Sequence, residues 1–493
     1  MDGSSNNQQP NNNNQDDQDK KNQVEELEDH MSAPSDQDED DIIYMDDEEL
    51  EALDQDEEDD FQTINESEIG DHMGYQDGQI LAQEIIQDDS IIQFNAHKDS
   101  VYAINVVPRE PYNMFISGDC NDKAYVWKIV KEAAEAPDAV NEQQQPPEEN
   151  KGIDDAANAN SQQQEQNLMK IKTVVVKELE GHTETIEFAK FNHDGKLLIT
   201  GGMNNQLRVW NTEFDAFELK HVITDGPTED LNFLEWHPKG NVFITGGKDY
   251  LIWLYNGQSG TFISCLAGHE QEVFQASFTI SDGGKHVVSS SADQTIRIWA
   301  PLKNECLKVI KNTSLTGTAG KFHETEINVF SLHWERPLII SGDIEGKVFY
   351  SHLQTGEVGS MLGKHADSVE SIVFCKTLPI CASAGIDPNI FIYDLGTNDI
   401  RFKVAPAGEY GGFSKLQFSQ VRPHVLLAAS TLGDFFMIDV RDGSNIKTFK
   451  GHAAAINDFI EVKYLELVVT AGEDNQCLVF DCHDVYALPA LTI

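Results

Sequence analysis

The feature that most constrains the fold is a repeat that begins after residue 90, and its clearest copy spans residues 268–300. This copy opens with Gly-His and continues with an alternating apolar run, a turn and a second run that ends in Ser. An Asp turn and a third run ending in Trp follow. Alternation with a period of two, bounded by Gly, Asp and Asn, predicts short β-strands. Recurrence of the whole cluster predicts an all-β protein built from stacked copies of one unit.

The same residue types recur at matching spacings in four further copies. In the clearest copy the Ser lies ten residues and the Asp six residues before the Trp. The turn position holds Asn121 in the first copy and Asn204 in the second. The remaining members form the predicted structural set: His97, Ser117, Trp127, His182, Thr200, Trp210, His269, Ser289, Asp293, Trp299, His365, Ser383, Asp387, His452, Thr470 and Asp474.

Three weaker copies bring the predicted number of units to eight. One keeps His323, Ser341 and Glu345, and a second keeps Thr245, Asp249 and Tyr255. The third, at about 409–440, has Leu432 and Ile438 in place of the polar pair. Eight units of ~40–45 residues need roughly 320–360 residues, which the interval 88–485 of this 493-residue chain accommodates.

The spacing resembles that of the WD40 family over about residues 88–482. This resemblance implies a β-propeller with eight blades. In the family the turn Asp orients the His, the His bonds the Ser or Thr, and that hydroxyl bonds the Trp ring nitrogen, so each buried polar group has a partner. Residues 90–94 are expected to complete the last blade and to remove its exposed edge. The recurring histidines lie in different repeats, so no metal site is expected.

Two segments differ in composition from the repeats. Residues 1–87 are predicted to be a disordered Asn/Gln-rich and acidic arm, since residues 1–90 hold 31 acidic and 2 basic residues and cannot bury enough apolar surface to offset the entropy of ordering. Apolar residues spaced through the acid are typical of a reversible cover for basic surfaces, and a solubilising tail is the alternative. Residues 131–170 are predicted to be a low-complexity loop insertion within the first blade.

Charge limits the kind of partner. The chain has 84 acidic and 35 basic residues and a formal net charge of −49, so neither nucleic acid nor an anionic membrane is expected as a direct ligand. A basic protein or peptide is the expected partner, unless the charge serves solubility alone. The odd number of cysteines and the lack of an apolar leader or an 18-residue apolar run predict a cytoplasmic, and also nuclear, monomer with reduced thiols.

Catalytic and cofactor signatures are missing from the sequence. It contains no GxxxxGK[ST], HExxH or GxSxG motif, and these motifs mark phosphate, zinc and nucleophile sites. The GGK at 246–248 is predicted to be a turn between strands, since no helix pattern follows it. The sequence therefore predicts a binding protein rather than an enzyme, with no cofactor.

Three positions of each repeat are expected to face the central depression of the ring. Two lie three and five residues after the His, and one lies just before the turn Asp. They hold mainly carboxylates and aromatic rings, and the predicted partner-binding set is Glu187, Glu370, Asp230, Glu272, Glu326, Glu473, Tyr102, Phe274 and Phe413. Carboxylates pair with guanidinium groups and ring faces attract cations. The set predicts a face for an Arg/Lys-rich peptide, with ordinary solvated loops as the alternative.

Four stretches resemble one WD40 subfamily more closely than the general pattern: 88–108, 118–127, 229–247 and 470–482. The most specific is LEWHP in the third unit, which lacks the repeat His. On these residues the chain is similar to the angio-associated migratory cell protein family, which includes the yeast chaperone of a large-subunit ribosomal protein. The resemblance implies an escort of a newly made basic ribosomal protein in ribosome biogenesis. A general WD40 scaffold in signalling, cell migration or complex assembly is the alternative.

Overall fold

The computed structural model describes residues 87–132, 170–203, 205–312, 322–406 and 411–487. In this part of the chain 32 strands form eight four-stranded antiparallel sheets. The first strand of every sheet contacts the first strand of the next, and that of the eighth contacts that of the first. The predicted eight-bladed β-propeller is therefore confirmed.

The first four blades each run from an inner to an outer strand in chain order. Blade one comprises β2 (Val101–Val106), β3 (Met114–Asp119), β4 (Ala124–Glu132) and β5 (Lys170–Leu179). Blade two comprises β6 (Ile186–Phe191), β7 (Leu197–Gly202), β8 (Leu207–Asn211) and β9 (Glu218–Ile223). Blade three comprises β10 (Leu231–Trp236), β11 (Val242–Gly247), β12 (Ile252–Asn256) and β13 (Thr261–Leu266). Blade four comprises β14 (Val273–Phe278), β15 (Val287–Ser291), β16 (Ile296–Ala300) and β17 (Glu305–Ile310).

Blades five to seven repeat this order, and blade eight takes its outer strand from the start of the chain. Blade five comprises β18 (Val329–Leu332), β19 (Leu338–Gly342), β20 (Lys347–His352) and β21 (Val358–Lys364). Blade six comprises β22 (Val369–Phe374), β23 (Ile380–Gly385), β24 (Ile390–Asp394) and β25 (Asp399–Val404). Blade seven comprises β26 (Phe413–Phe418), β27 (Val425–Ser430), β28 (Phe435–Asp439) and β29 (Asn445–Phe449). Blade eight comprises β30 (Ile456–Val462), β31 (Leu467–Gly472), β32 (Cys477–Asp481) and β1 (Ile92–Phe94).

Three short helical segments complete the described elements: 3₁₀ turns at Glu213–Asp215 and Pro301–Lys303, and the helix α1 at His483–Ala487. None of the described helices is long and apolar enough to cross a membrane. All seven cysteines are free, and four of them are buried. Burial raises the pKa of the Cys482 thiol to about 12, so this group stays an unreactive thiol at neutral pH.

The ring closes through its first strand, as the sequence predicts for residues 90–94. β1 pairs antiparallel with β32, with Ile92 opposite Val479 and Phe94 opposite Cys477. The Phe94 ring stacks on Trp127 of the first blade with centroids 4.6 Å apart. The closing strand is thus hydrogen-bonded to the eighth blade and packed on the first, so no edge of the eighth sheet is left open at this position.

A chain of buried hydrogen bonds spans the first blade. His97 Nδ1 donates to Asp119 Oδ2 at 2.8 Å, and the Ser117 hydroxyl lies 2.6 Å from His97 Nε2. Trp127 Nε1 donates to the same hydroxyl at 3.0 Å. All four side chains are nearly inaccessible. The polar atoms of these four side chains are paired with one another, as the burial of polar groups requires.

In two repeats the sequence prediction gave the wrong residue for the carboxylate that bonds the histidine. In blade one it is Asp119 rather than Asn121, and in blade five it is Asp343, 2.7 Å from His323 Nδ1, rather than Glu345. In these two blades the acid follows the Ser by two residues, whereas in blades four, six and eight it follows the hydroxyl residue by four. A carboxylate at the start of the turn reaches the same ring nitrogen, so a fixed spacing misses it.

In blades four, six and eight the predicted residues form this series of buried hydrogen bonds. His269 bonds Asp293 and Ser289 at 2.8 and 2.7 Å, and Trp299 Nε1 donates to Ser289 at 2.8 Å. The remaining bonds at 2.7–2.9 Å are those of His365 with Asp387 and Ser383, of Tyr393 with Ser383, and of His452 with Asp474 and Thr470.

Blades three and seven have other contacts in place of this series of hydrogen bonds. In blade three the Tyr255 hydroxyl donates to the carbonyl of Asp225, in the loop where other blades place the His, and Thr245 Oγ1 donates to the carbonyl of Phe233. In blade seven Ile438 is fully buried, with Phe436 in the same core. Leu432 is 52 % exposed, so it does not take part in that packing as Ile438 does.

The predicted arm, residues 1–87, lies outside the described residues except for Gln87, and so does most of the predicted insertion, residues 131–170. The strands that flank the insertion are β4 and β5, the third and fourth of blade one. β4 extends to Glu132 and β5 begins at Lys170.

Two neighbouring serines test what the buried chain contributes. Ser289 and Ser290 are both inaccessible, but among the described residues the Ser289 hydroxyl is hydrogen-bonded and Ser290 Oγ has no partner. We expect Ser289→Ala to lower the free energy of unfolding by about 1–3 kcal/mol, because it leaves His269 and Trp299 nitrogens unpaired. We expect Ser290→Ala to be neutral or stabilising. Urea unfolding of both variants measures the difference, and equal losses would contradict it.

Blade two predicts a pH dependence of stability. His182 bonds Thr200 at 2.7 Å, but its Nδ1 has no partner among the described residues, which do not include the predicted turn residue Asn204. Burial, with Arg208 nearby, lowers the pKa of His182 from 6.5 to about 4. The unfolded chain therefore binds a proton between these values that the folded blade does not, so stability is complete above pH 6.5 and falls as the pH drops towards 4.

We expect this loss to be about 2 kcal/mol between pH 7 and pH 5. The glutamine of His182→Gln does not titrate, so the free energy of unfolding of that variant should decrease less than that of the wild type over the same interval. Parallel urea titrations at the two pH values give the comparison. Identical pH dependence in both proteins would show that His182 does not carry the effect.

Candidate functional site

One edge of the ring, here called the top face, carries the loops that lead into each inner strand and the turns between second and third strands. The His–Asp bonds place these two kinds of segment side by side, as His97 and Asp119 do in blade one. The insertion between β4 and β5 leaves from the opposite edge. The top face is therefore held by buried polar contacts in most blades.

Seven inner strands carry a β-bulge directly after their first residue. The paired register skips one residue in each of them. A bulge leaves that residue out of the ladder and re-aims its side chain. The skipped residues are Tyr102, Glu187, Asn232, Phe274, Glu370, Ser414 and Asn457. In blade five the equivalent residue is Asn328, directly before β18.

Five of these residues line one open cavity of about 700 Å³ at the centre of the top face. They come from blades two to six: Glu187, Asn232, Phe274, Asn328 and Glu370. Glu326 lies in the same lining. The repeated bulge is thus the local feature that brings residues distant in sequence to one surface.

Four of the eight residues fasten one blade to the next. Asn232 Nδ2 donates to the carbonyl of Val273 at 3.0 Å, and Asn328 Nδ2 donates to that of Val369 at 2.7 Å. Ser414 and Asn457 make the same bond to Ile456 and Val101, at 2.5 and 3.0 Å. These four side chains are occupied in holding the ring together.

The other four, Tyr102, Glu187, Phe274 and Glu370, form no such bond to the next blade within the described residues. Glu370 accepts hydrogen bonds through Oε1 from the Ser368 hydroxyl at 2.7 Å and from Asn328 Nδ2 of blade five at 3.5 Å, while Glu187 has no hydrogen bond or ion pair among the described residues. Two carboxylates and two aromatic rings are therefore available to a ligand. Their chemistry fits a cationic group rather than an anion.

Electrostatics at the cavity disfavour further negative charge. Burial raises the pKa of Glu187, the neighbouring Asp230 raises it further, and Lys248 opposes both. Burial likewise raises the pKa of Tyr102, followed in effect by Cys120 and by the carboxylates of Glu473 and Glu187. A cation placed between these groups would relieve the repulsion between them.

Comparison with known proteins agrees with this geometry. The model of the WD domain, G-beta repeat matches residues 173–211, 218–256 and 260–300. The chain therefore contains WD40 repeats. It is 25% identical to the human angio-associated migratory cell protein over 408 residues, which are 80% of each chain. WD40 propellers are protein-binding platforms and typically non-enzymatic scaffolds.

Two solved structures share the fold of this WD40 protein. Sqt1 of Saccharomyces cerevisiae matches with a TM-score of 0.63 and 21% identity, over 80% of this chain and 99% of that one. Sqt1 of Chaetomium thermophilum bound to the N-terminus of the ribosomal protein L10 matches with a TM-score of 0.62 and 19% identity, over 80% of this chain and 100% of that one.

Three further predicted site residues, Asp230, Glu272 and Glu473, do not line the cavity. Asp230 pairs with Lys248 at 2.8 Å, and Glu272 accepts a hydrogen bond from Asn232 at 2.8 Å. Glu473 is exposed at the junction of blades eight and one, where its carbonyl accepts from Ser100. Glu187, Phe274, Glu326 and Glu370 are the predicted residues that line the cavity together.

Phe413 does not belong to the site. It is fully inaccessible and packs in the core between blades six and seven. The seventh repeat has no His from which to count, so the spacing slipped by one residue, and the bulge residue is Ser414. Lys415, the next residue, pairs with Asp458 at 2.5 Å.

The asparagines were the residues that the sequence prediction left out. The position five residues after the His gives Asn328 and Asn457 directly. Selection for charged and aromatic residues discarded them. Their signal was the recurrence of an amide at the bulge position, where the side chain can reach a neighbouring carbonyl.

Across the described residues, no group of three or more His, Cys, Asp and Glu side chains is arranged to hold a metal ion.

The two classes of bulge residue predict effects of different size on stability. We expect Asn457→Ala to lower the free energy of unfolding by about 1 kcal/mol, since it removes the bond to Val101 and leaves that carbonyl unpaired. Tyr102 is 36 % exposed, and we expect Tyr102→Ala to change stability by less than about 0.5 kcal/mol. Urea unfolding of both variants tests this, and a larger loss from Tyr102→Ala would contradict the division.

Proposed function

We propose that the top face binds a lysine- and arginine-rich segment of a partner protein. The partner we propose is a newly made, basic large-subunit ribosomal protein, which this chain escorts during ribosome biogenesis in the cytoplasm, and also in the nucleus. The observation that carries the proposal is the convergence of Glu187, Glu326 and Glu370 with the Phe274 ring in one cavity of about 700 Å³.

Free carboxylates support a cationic ligand. Glu187 is partly buried without a hydrogen bond or an ion pair among the described residues, and its pKa is raised by burial and by Asp230. Guanidinium and ammonium groups pair with such carboxylates through charge-assisted hydrogen bonds. Binding of a cation would therefore relieve the repulsion between Glu187 and Asp230.

Aromatic rings support a basic peptide over a small cation. Phe274 lies in the cavity lining, and Tyr102 lies near Glu473 and Glu187. A ring face beside carboxylates attracts the guanidinium of Arg or the ammonium of Lys, at about 0.5–2 kcal/mol for each contact. Several such positions around a rigid rim suit an extended segment with repeated positive charges.

Related proteins supply the identity of the proposed partner. A structure of Chaetomium Sqt1, which shares the fold at 19% identity, contains the N-terminus of ribosomal protein L10. The net charge of −49 favours encounter with a basic ribosomal protein through long-range attraction. These two observations support the escort role over a general scaffold role.

Charge reversal tests the site. We expect the double variant Glu187→Lys and Glu370→Lys to weaken binding of a labelled Arg/Lys-rich peptide at least about tenfold, because two attractions become repulsions. Fluorescence anisotropy measures the affinity, and a thermal melt should show no lower melting temperature. The matched control is Glu335→Lys with Glu357→Lys, two exposed carboxylates away from the top face, which should bind as the wild type does.

Unchanged affinity of the double variant would remove the site. A salt titration gives a second reading, since binding through exposed charges should weaken as ionic strength rises. Affinity that is independent of salt would favour an apolar scaffold interface. Capture with the tagged chain from translating cytosol then addresses the partner, and the absence of any ribosomal protein would refute the escort role while leaving peptide binding intact.

A further inference from the structure

The lower face, the edge of the ring opposite the top face, holds a second cavity. It carries the turns between first and second strands, and between blades five, six and seven it contains a depression of about 520 Å³. Leu332, Phe374 and Phe418, which are near the ends of three inner strands, line this depression together with Trp334 and Pro423 from the turns. These apolar side chains thus form one part of the lining, beside the polar side chains of Ser331, Thr377, Gln417, Ser419 and Gln420.

Positive charge is distributed regularly around this cavity. Each of the eight turns between a first and a second strand contains one Lys or Arg, although acidic residues in the whole chain outnumber basic residues by 84 to 35. The eight residues are Arg109, Lys196, Lys239, Lys285, Arg336, Lys376, Arg422 and Lys463. Five of these turns also contain one acidic residue: Glu110, Asp194, Asp282, Glu335 and Glu466.

Three of these residues are used by the fold. Arg109 pairs with Asp215, and Lys196 lies 3.6 Å from Asp194. Arg422 donates to the carbonyl of Tyr486 and so anchors the helix α1. Their charge is already directed at partners within the chain.

The other five are exposed and have no ion pair among the described residues: Lys239, Lys285, Arg336, Lys376 and Lys463. Two acids of the same turns are engaged elsewhere, since Asp282 pairs with His286 at 2.5 Å and Glu466 pairs with His483, whereas Glu335 lies directly beside Arg336. Lys376 and Lys463 line the cavity itself. A partly apolar depression with uncompensated lysines at its rim is thus present in a strongly acidic protein.

We propose that this lower mouth binds an acidic peptide segment of a partner protein. An aliphatic or aromatic side chain of the segment occupies the depression over Phe374 and Phe418, and its carboxylates pair with Lys376 and Lys463. Pockets of 300–1,000 Å³ with apolar linings and a few convergent polar groups are the usual size for such an anchor. The apolar side chains of the lining, Leu332, Phe374 and Phe418, favour a peptide with an apolar anchor over a nucleic acid, whose phosphates could pair only with the lysines.

The probe is a fluorescein-labelled 12-residue peptide of Glu and Asp with two Phe residues, compared with a peptide in which Ser replaces both Phe. We expect the full-length protein to bind the Phe peptide at least about tenfold more tightly than the Ser peptide. The double variant Lys376→Glu and Lys463→Glu should weaken the Phe peptide by about tenfold or more. The matched control reverses Lys98 and Lys311, two exposed lysines outside the cavity, and should bind as the wild type does.

Equal affinity of the double variant and the wild type would overturn the proposal, and so would equal affinity for the Phe and Ser peptides, which would indicate unspecific charge attraction. Tighter binding of a 12-nucleotide single-stranded DNA that displaces the peptide would replace it with a nucleic-acid site. If the double variant melts earlier, the single Lys463→Glu at an exposed side chain carries the same test. Binding of the Arg/Lys-rich peptide to the top face should be unchanged in these variants, so the two proposals fail separately.

Discussion

The hydrogen bond between a buried histidine and a turn carboxylate is the contact on which the top face depends. In blade one it joins His97, in the loop that enters the blade, to Asp119, in the turn inside the blade. Two segments that would otherwise move independently become one unit, and the hydroxyl and indole behind them leave no buried polar atom without a partner. In blades four, five and six the segments fixed in this way present Phe274, Asn328 and Glu370 to the cavity.

The residue at the bulge position of an inner strand either joins two neighbouring blades or is available to a ligand. An amide or hydroxyl at the bulge, as in Asn232 and Ser414, reaches the carbonyl of the next blade. A carboxylate or a hydrocarbon ring cannot donate that bond, so Glu187 and Phe274 remain free. One backbone position therefore serves either purpose, and the side-chain chemistry alone decides which.

Much of the fold follows from spacing because the buried hydrogen-bond chain requires fixed residue types at fixed distances along the strands. Ser289 and Trp299 are identifiable for this reason. The predictions failed where another residue could satisfy the same atom, as with Asp119 in place of Asn121. They also failed where the reference His is absent, which moved the expected site residue onto the buried Phe413. The lower face has no repeated polar signature tied to a hydrogen bond, so its cavity emerges only once the inner strands are assembled.

The ring is completed by pairing the beginning of the fold with its end. β1 belongs to the sheet of β32, nearly 400 residues later in the chain. During synthesis this first strand has no sheet to join until the final blade leaves the ribosome. The nascent protein thus remains an open arc until β32 has been made and can pair with β1. A product that ends before β32 would lack the strand with which β1 pairs, and β1 would stay unpaired.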